Sequence, residues 1–219
     1  MNSIADFIQE RGMDILVALQ EHLTITAISV FLGCIIAIPL GILLAYNRLR
    51  WLNSIVFFIA NLLQTVPSLA LLAILIPFFG IGMKPTIVAL FLYSIMPILR
   101  NTYDGFQSVD ASVLESARGM GYSTLQSVIK VQLPLSLPYI MSGIRITTVY
   151  IISWATLATL IGAGGLGQMI VAGLGVNKVE LIVTGAVGAI VLAMLADWLL
   201  GKLERALTRR FGRTSSVSA

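Results

Sequence analysis

One glycine run, Gly162-Ala-Gly164-Gly165-Leu-Gly167, has the G-x-G-x-x-G spacing with which a backbone can cradle a dinucleotide pyrophosphate. That chemistry needs a strand before the glycines, a helix after them and a βαβ unit around them. Here the run sits inside Ile146–Asn177, 32 residues without Asp, Glu, Lys or Arg. Cofactor binding is therefore set aside, and the glycines read as a helix end where backbone segments approach closely, ahead of a short amphipathic helix over 166–174. The other reactive side chains stand alone. Cys34 is the single cysteine, so thiols can build neither a disulfide framework nor a metal site. His22 is the single histidine and reads as an interfacial residue. There is no G-x-x-x-x-G-K-[ST] phosphate loop, and no nucleophile with a base beside it. The chain is expected not to be an enzyme.

The elements that would position any site are apolar. The 219 residues are 58% hydrophobic and only 11% charged, far from the usual composition of soluble domains. A soluble domain of this length buries roughly 70% of its surface, so the excess must face lipid or a large partner. Leu23–Asn47 and Trp51–Met83 are also charge-free, over 25 and 33 residues, and about 20 residues cross a bilayer as a helix. Lipid is the consistent answer. The first run follows some 20 polar residues, including Asp6, Glu10, Arg11, Asp14 and Glu21, and so does not read as a cleavable signal peptide.

Five spans fit the pattern, at about 22–46, 52–79, 85–103, 136–160 and 179–200, in an all-α integral membrane fold. Residues 1–21 would form an extracellular segment and 201–219 a basic cytoplasmic tail, polar and disordered at its end. Pro67 is expected to kink the second span, with neighbouring helices satisfying the freed backbone groups. With the N-terminus outside and the C-terminus inside, ten basic residues fall on the cytoplasmic side: Arg48, Arg50, Arg100, Arg118, Lys130, Lys202, Arg205, Arg209, Arg210 and Arg213. Only Arg11, Lys84 and Lys178 fall outside, as the positive-inside rule demands. The net charge of +4 is thus placed to anchor topology and attract lipid headgroups, and no nucleic-acid partner is expected. Arg145, about 11 residues beyond Pro134, must pair, snorkel or face water. Asp104 is a candidate partner for it, and a role in a transport path is the alternative.

One sizeable cytoplasmic segment remains, residues 104–133. Asp110 can cap a helix over 111–118, Gly119 and Gly121 supply a turn, and Ser123-Thr-Leu-Gln126 is a capping box opening a second helix. Leu114, Ala117, Leu125, Val128 and Ile129 would line one side of this pair. By pattern alone it either docks on a partner or folds onto the membrane surface.

Glu115-Ser-Ala117-Arg-Gly-Met-Gly121, followed by Val131-Gln-Leu133-Pro134, resembles the signature loop of ABC importer permeases: Glu-Ala-Ala, a glycine, then Ile-x-Leu-Pro. Ser116 replaces an alanine and Val131 an isoleucine. The resemblance implies a type I importer permease of the bacterial plasma membrane, in which Glu115, Ala117 and Gly121, with Val131, Leu133 and Pro134, form the surface that docks into a cytoplasmic ATP-binding subunit. ATP and magnesium would belong to that partner, with no cofactor on this chain. It also implies a second permease chain, homologous or identical, and an extracellular substrate-binding protein.

Gln64-Thr-Val-Pro67-Ser68, Pro97-Ile-Leu-Arg100-Asn101-Thr-Tyr103 and Trp154-Ala-Thr-Leu-Ala158 before the glycine run look like permeases for osmoprotectants such as glycine betaine, carnitine and choline. A methionine importer permease would share the glycine run and the loop, and a carrier independent of ATP is the rival of another class. A quaternary ammonium group favours aromatic faces. Tyr93, Tyr150 and Trp154, with Arg145, are therefore candidates for the path, against simple packing. Gly162, Gly164, Gly165 and Gly167 would mark its outer mouth.

Overall fold

The computed structural model describes the backbone of residues 4–211 and the side chains of residues 10–209. In chain order the helices are α1 (Ile4–Tyr46), α2 (Arg50–Thr65), α3 (Ser68–Phe79), α4 (Met83–Gln107), α5 (Ala111–Gly119), α6 (Thr124–Ser127), α7 (Leu133–Ala155), α8 (Leu166–Gly175) and α9 (Val179–Phe211). A π turn, Val128–Gln132, joins α6 to α7, and a 3₁₀ turn, Leu157–Ile161, follows α7. No strand occurs among the described residues. Four stretches are long and apolar enough to cross a bilayer unaided: Glu10–Tyr46, Met83–Gln107, Thr124–Ala155 and Val179–Arg209.

The remaining expected crossing is a bent pair of helices. The expected kink at Pro67 is a turn of 98° between α2 and α3. Their 16 and 12 residues reach only about 24 and 18 Å, so neither alone traverses a hydrocarbon core of about 30 Å. The cause is local, because the residue before a proline is driven out of the α region, and Val66 is extended (φ −65°, ψ 128°). The break leaves polar backbone with no helical partner, and Tyr93 on α4 repairs it by donating its hydroxyl to the Val66 carbonyl at 2.7 Å. The repair is reciprocal. Pro97 lacks the N–H that would have bonded the Tyr93 carbonyl one turn earlier, and Gln64 Nε2 donates to that carbonyl at 2.9 Å.

Two helices outrun their expected limits. The first begins near residue 4, not 22, and α1 departs from helical geometry within this stretch only at Arg11 (φ −112°, ψ 15°). One face of its early turns is packed: Ala18 meets Leu166, Met169 and Leu181, helped by Ile15 and Leu19, while Glu10, Met13, Asp14 and Leu16 are exposed. The last helix continues past residue 200 to Phe211, because Glu204 in the extension reaches the Arg145 guanidinium on α7 at 3.6 Å. The remainder of the basic tail, Gly212–Ala219, lies outside the described residues.

The bundle is held by close helix approach more than by bulky interlocking. The α1–α4 seam sets Gly33 against Ser94 and Gly41 against Thr102; the α4–α7 seam sets Gly105 against Tyr139 and Gly143 against Asn101. Small residues permit such contact where lipid removes any hydrophobic drive between helices. Ile25, Leu72, Leu90, Tyr93 and Ile151 fill the centre. Val187, Ile190, Met194 and Trp198 on α9 stay exposed, as a lipid-facing helix requires.

Replacing Tyr93 by Phe strips the Val66 carbonyl of its donor at a cost of about 1–3 kcal/mol. The thermal midpoint of the purified chain in detergent should fall measurably. Tyr103→Phe, which deletes a hydroxyl with no hydrogen bond among the described residues, should leave it in place.

Candidate functional site

The segment between α4 and α7 forms a compact helix pair whose ends are individually secured. Asp110 Oδ1 accepts from the Ser112 N–H at 2.8 Å and opens α5. The hydrogen bonds from the Ser112 backbone and then its side chain hold this carboxyl below the usual carboxylate range. The cap therefore acts above the ordinary aspartate pKa and is lost only as pH falls through the depressed value. The far end of α5 closes as a Schellman motif: Tyr122 N–H donates to the Ala117 carbonyl at 3.1 Å, and Gly121 N–H to that of Arg118 at 2.9 Å. The motif needs a left-handed residue, and Gly121 supplies it at φ +82°. Of the two glycines expected to turn the chain, Gly119 is simply the last residue of α5.

Ser123 and Gln126 form the expected capping box, with Gln126 N–H donating to Ser123 Oγ at 3.3 Å and Ser123 N–H to Gln126 Oε1 at 2.9 Å. Beyond it the chain does not re-enter the bundle at a break. α6, the π turn and α7 run on as one helical stretch, Thr124–Ala155. Pro134 lacks the N–H for the Lys130 carbonyl, and the π turn, in which Leu133 N–H reaches back to Val128, carries the helix past this gap. Gln132 is buried in this turn and donates to the Tyr46 hydroxyl at the end of α1. Gln107, at the end of α4, donates to the Ala45 carbonyl at 3.0 Å. Both flanks of the loop are thus tied to the end of one helix.

The loop's apolar side divides. Ala117, expected to seat against a partner, is only 1% exposed and is covered by this chain itself. Val131, Leu133 and Pro134 are half-buried at the root of α7. Met120 and Leu125, each 68% exposed, and Ile129 at 54% form the free apolar surface, with the exposed Glu115 and Arg118 beside it. Met120 had no periodicity to mark it, since it lies in the turn between the helices.

At the opposite end the glycine-rich segment is a helix start. Gly162, Gly164 and Gly165 all have positive φ, near +80°, and α8 begins at Leu166, as expected from the pattern. A side chain on Gly164 would collide with the Glu21 carboxylate, and one on Gly167 with the Thr156 carbonyl. Gly165 N–H donates to Glu21 Oε2 at 2.8 Å. The anion-receptive end of α8 is therefore occupied by a side chain of the same protein, which agrees with discarding the dinucleotide reading. His22 is not interfacial: it is completely buried, hydrogen-bonded to the Ile152 carbonyl and the Leu166 N–H. No spacing could have shown this, because the partners lie 130 and 144 residues apart.

The aromatic candidates come together, with Tyr93 and Trp154 ring centroids 4.8 Å apart and Tyr150 and Trp154 6.0 Å apart. They differ in access: Tyr93 is 2% exposed and Tyr150 52%. Arg145 does not join them. It lies five residues before Tyr150, on another face of α7, and forms a fork with Asp197 of α9, Nη2 to Oδ2 being 2.7 Å. Asp104, the partner expected for it, is taken by Arg100 one turn away at 3.1 Å. Gly201 leaves room for the guanidinium.

The comparisons with known proteins agree with this architecture. Residues 37–209 match the family described as binding-protein-dependent transport system inner membrane component. The chain belongs to this family. It is 47% identical, over 95% of its length and 94% of the relative's, to the carnitine transport permease protein OpuCB of Listeria monocytogenes. Identity is also 47% to the choline transport system permease protein OpuBB of Bacillus subtilis, covering 95% of each. Among solved structures, an inward-facing MetNI methionine ABC transporter chain superposes with TM-score 0.80 at 27% identity, covering 91% of this chain and 98% of that one. An amino acid ABC transporter chain at 17% identity shares the fold, with TM-score 0.77. The protein is a multi-pass permease of the bacterial inner membrane, an ABC importer subunit whose relatives carry osmoprotectants.

Neither Gly119 nor Gly121 has a neighbour where a Cβ would stand, so only backbone conformation distinguishes them. Gly121→Ala should destabilise the loop by about 1 kcal/mol and Gly119→Ala should be neutral or slightly stabilising. Hydrogen exchange of the 111–127 amides reads both.

Proposed function

We propose that this permease imports quaternary ammonium osmoprotectants of the carnitine and choline type, driven by a partner that hydrolyses ATP. The substrate class rests on relatives of nearly half identity over nearly the full chain, whose names specify carnitine and choline. The observation that carries the coupling is the helix pair 111–132: it is capped at each helix start, projects Met120, Leu125, Ile129 and Glu115, and continues without a break into the span α7.

In this reading the loop is cytoplasmic, as the distribution of basic residues requires, and the ATP-binding subunit receives its apolar tip in a groove. Glu115 offers a carboxylate to donors on that subunit. ATP and magnesium reside there. Closure of the ATP-binding subunits moves the tip, and the continuous Thr124–Ala155 helix transmits that movement past Gln132 and Arg145 to the aromatic cluster. A second permease chain faces this one, with the pathway between them, and Tyr150 and Trp154 line it where an ammonium group can meet a ring. An extracellular binding protein delivers the solute at the end formed by Gly162–Gly167. Tyr93 serves this site indirectly, by fixing Trp154 from behind.

Affinity-tagged permease expressed with its partners should bring down an ATP-hydrolysing subunit. Glu115→Arg places a cation at the docking tip without touching a buried group, and should reduce recovered ATPase at least tenfold while yield of the permease is unchanged. Equal recovery from both would remove the loop from the interface.

A further inference from the structure

A single imidazole joins two helix ends at the glycine-rich mouth. The last four carbonyls of α7 have no intrahelical donor and the first amides of α8 no intrahelical acceptor. His22 meets one of each: Nε2 lies 3.0 Å from the Ile152 carbonyl, and Leu166 N–H points at Nδ1 over 3.3 Å. A carbonyl only accepts and a backbone amide only donates. The ring must therefore carry its proton on Nε2 and none on Nδ1, which fixes both tautomer and charge. His22 has no exposed surface, and Glu21 holds the adjoining Gly165 N–H.

We infer that Glu21 and His22 form a proton-sensitive clamp that pins the start of α8 to the end of α7 and lets go when His22 takes a second proton. A proton on Nδ1 sets one N–H against another, abolishing the Leu166 bond, and places a positive charge at the helix end that repels it. The charged neighbours are few. On α1, Glu21 favours the imidazolium, and Arg11 and Asp14 lie with Glu21 along one shared cavity. α7 presents only the Ile152 carbonyl. The nearest charges of the α8–α9 connection, Lys178 and Glu180, are exposed, and Leu181 is what α9 contributes to that cavity. Release frees Gly162–Gly167 and α8, the segment closing that end of the bundle.

His22 is the chain's only histidine, so its imidazole can be observed without ambiguity by ¹⁵N NMR of the full chain in nanodiscs, purified with a histidine-free tag. At neutral pH the Nε2–H tautomer is expected; an Nδ1–H tautomer overturns the clamp. In the pH window between the titration of the released ring and that of the clamped ring, exchange protection of the α8 amides should drop about tenfold for each unit by which pH falls. His22→Gln can accept and donate with one side chain and carries no titrating proton, so its protection should not follow pH. Glu21→Gln keeps an acceptor for Gly165 but removes the anion, and should move release to lower pH. Protection independent of pH in the wild type, or the same decline in His22→Gln, would refute the proposal. A transport arm rests on the permease reading: in proteoliposomes of the whole complex, acidifying only the compartment facing α8 should slow ATP-driven uptake in the wild type and spare His22→Gln. No ATP-driven uptake at any pH would instead count against the permease reading, while identical pH profiles would count against the clamp.

Discussion

The bilayer penalises an unpaired backbone polar group, and this chain interrupts its helical hydrogen bonding at Pro67, at Pro97 within α4 and at the glycine run. At these three places a polar side chain from another helix takes up a freed backbone group. Tyr93 and Gln64 exchange donors across the α2–α3 break. Glu21 and His22 serve the gap between α7 and α8.

The two ends of the molecule are built for different tasks. At the loop end, caps, a Schellman turn and a π turn make a small rigid lever continuous with α7, and its two flanks are tied to α1 through Tyr46 and Ala45. At the glycine end, the start of α8 is held by Glu21 and His22 of α1, and Leu166 and Met169 pack on Ala18 and Leu181. Between them, Arg145 locks α7 to α9 through Asp197 and Glu204. That ion pair is half exposed, so its value is in fixing the register of two helices more than in raw stability. In the proposed mechanism, a movement of the loop tip is delivered along α7 toward the aromatic cluster and the α8 clamp.

Much of this was legible in the residues. Asp110, Gly121 and the Ser123–Gln126 box act within five residues of themselves, and local rules read such signals directly. The crossings were legible because charge-free runs of this length have one solvent. Helix limits were not: Glu10, Arg11 and Asp14 resemble a loop until Ala18 is known to pack on α8 and α9, and the helix end expected near residue 200 moves to Phe211, with Glu204 reaching Arg145. The side-chain repairs were beyond reach, since nothing local couples His22 to Leu166 or Arg145 to Asp197. Ala117 was expected on the docking surface because the resemblance and the apolar side of the pair both placed it there, and its burial within this chain shows only in the fold.

The central claim, that ATP hydrolysis by a partner moves a quaternary ammonium solute through this permease, is tested most directly by uptake of labelled carnitine and choline into proteoliposomes holding the assembled complex and its binding protein. The account predicts saturable accumulation that requires ATP, is competed by glycine betaine and is indifferent to collapse of ion gradients. Accumulation driven by an ion gradient without ATP, or uptake of methionine in place of either ammonium solute, would contradict it.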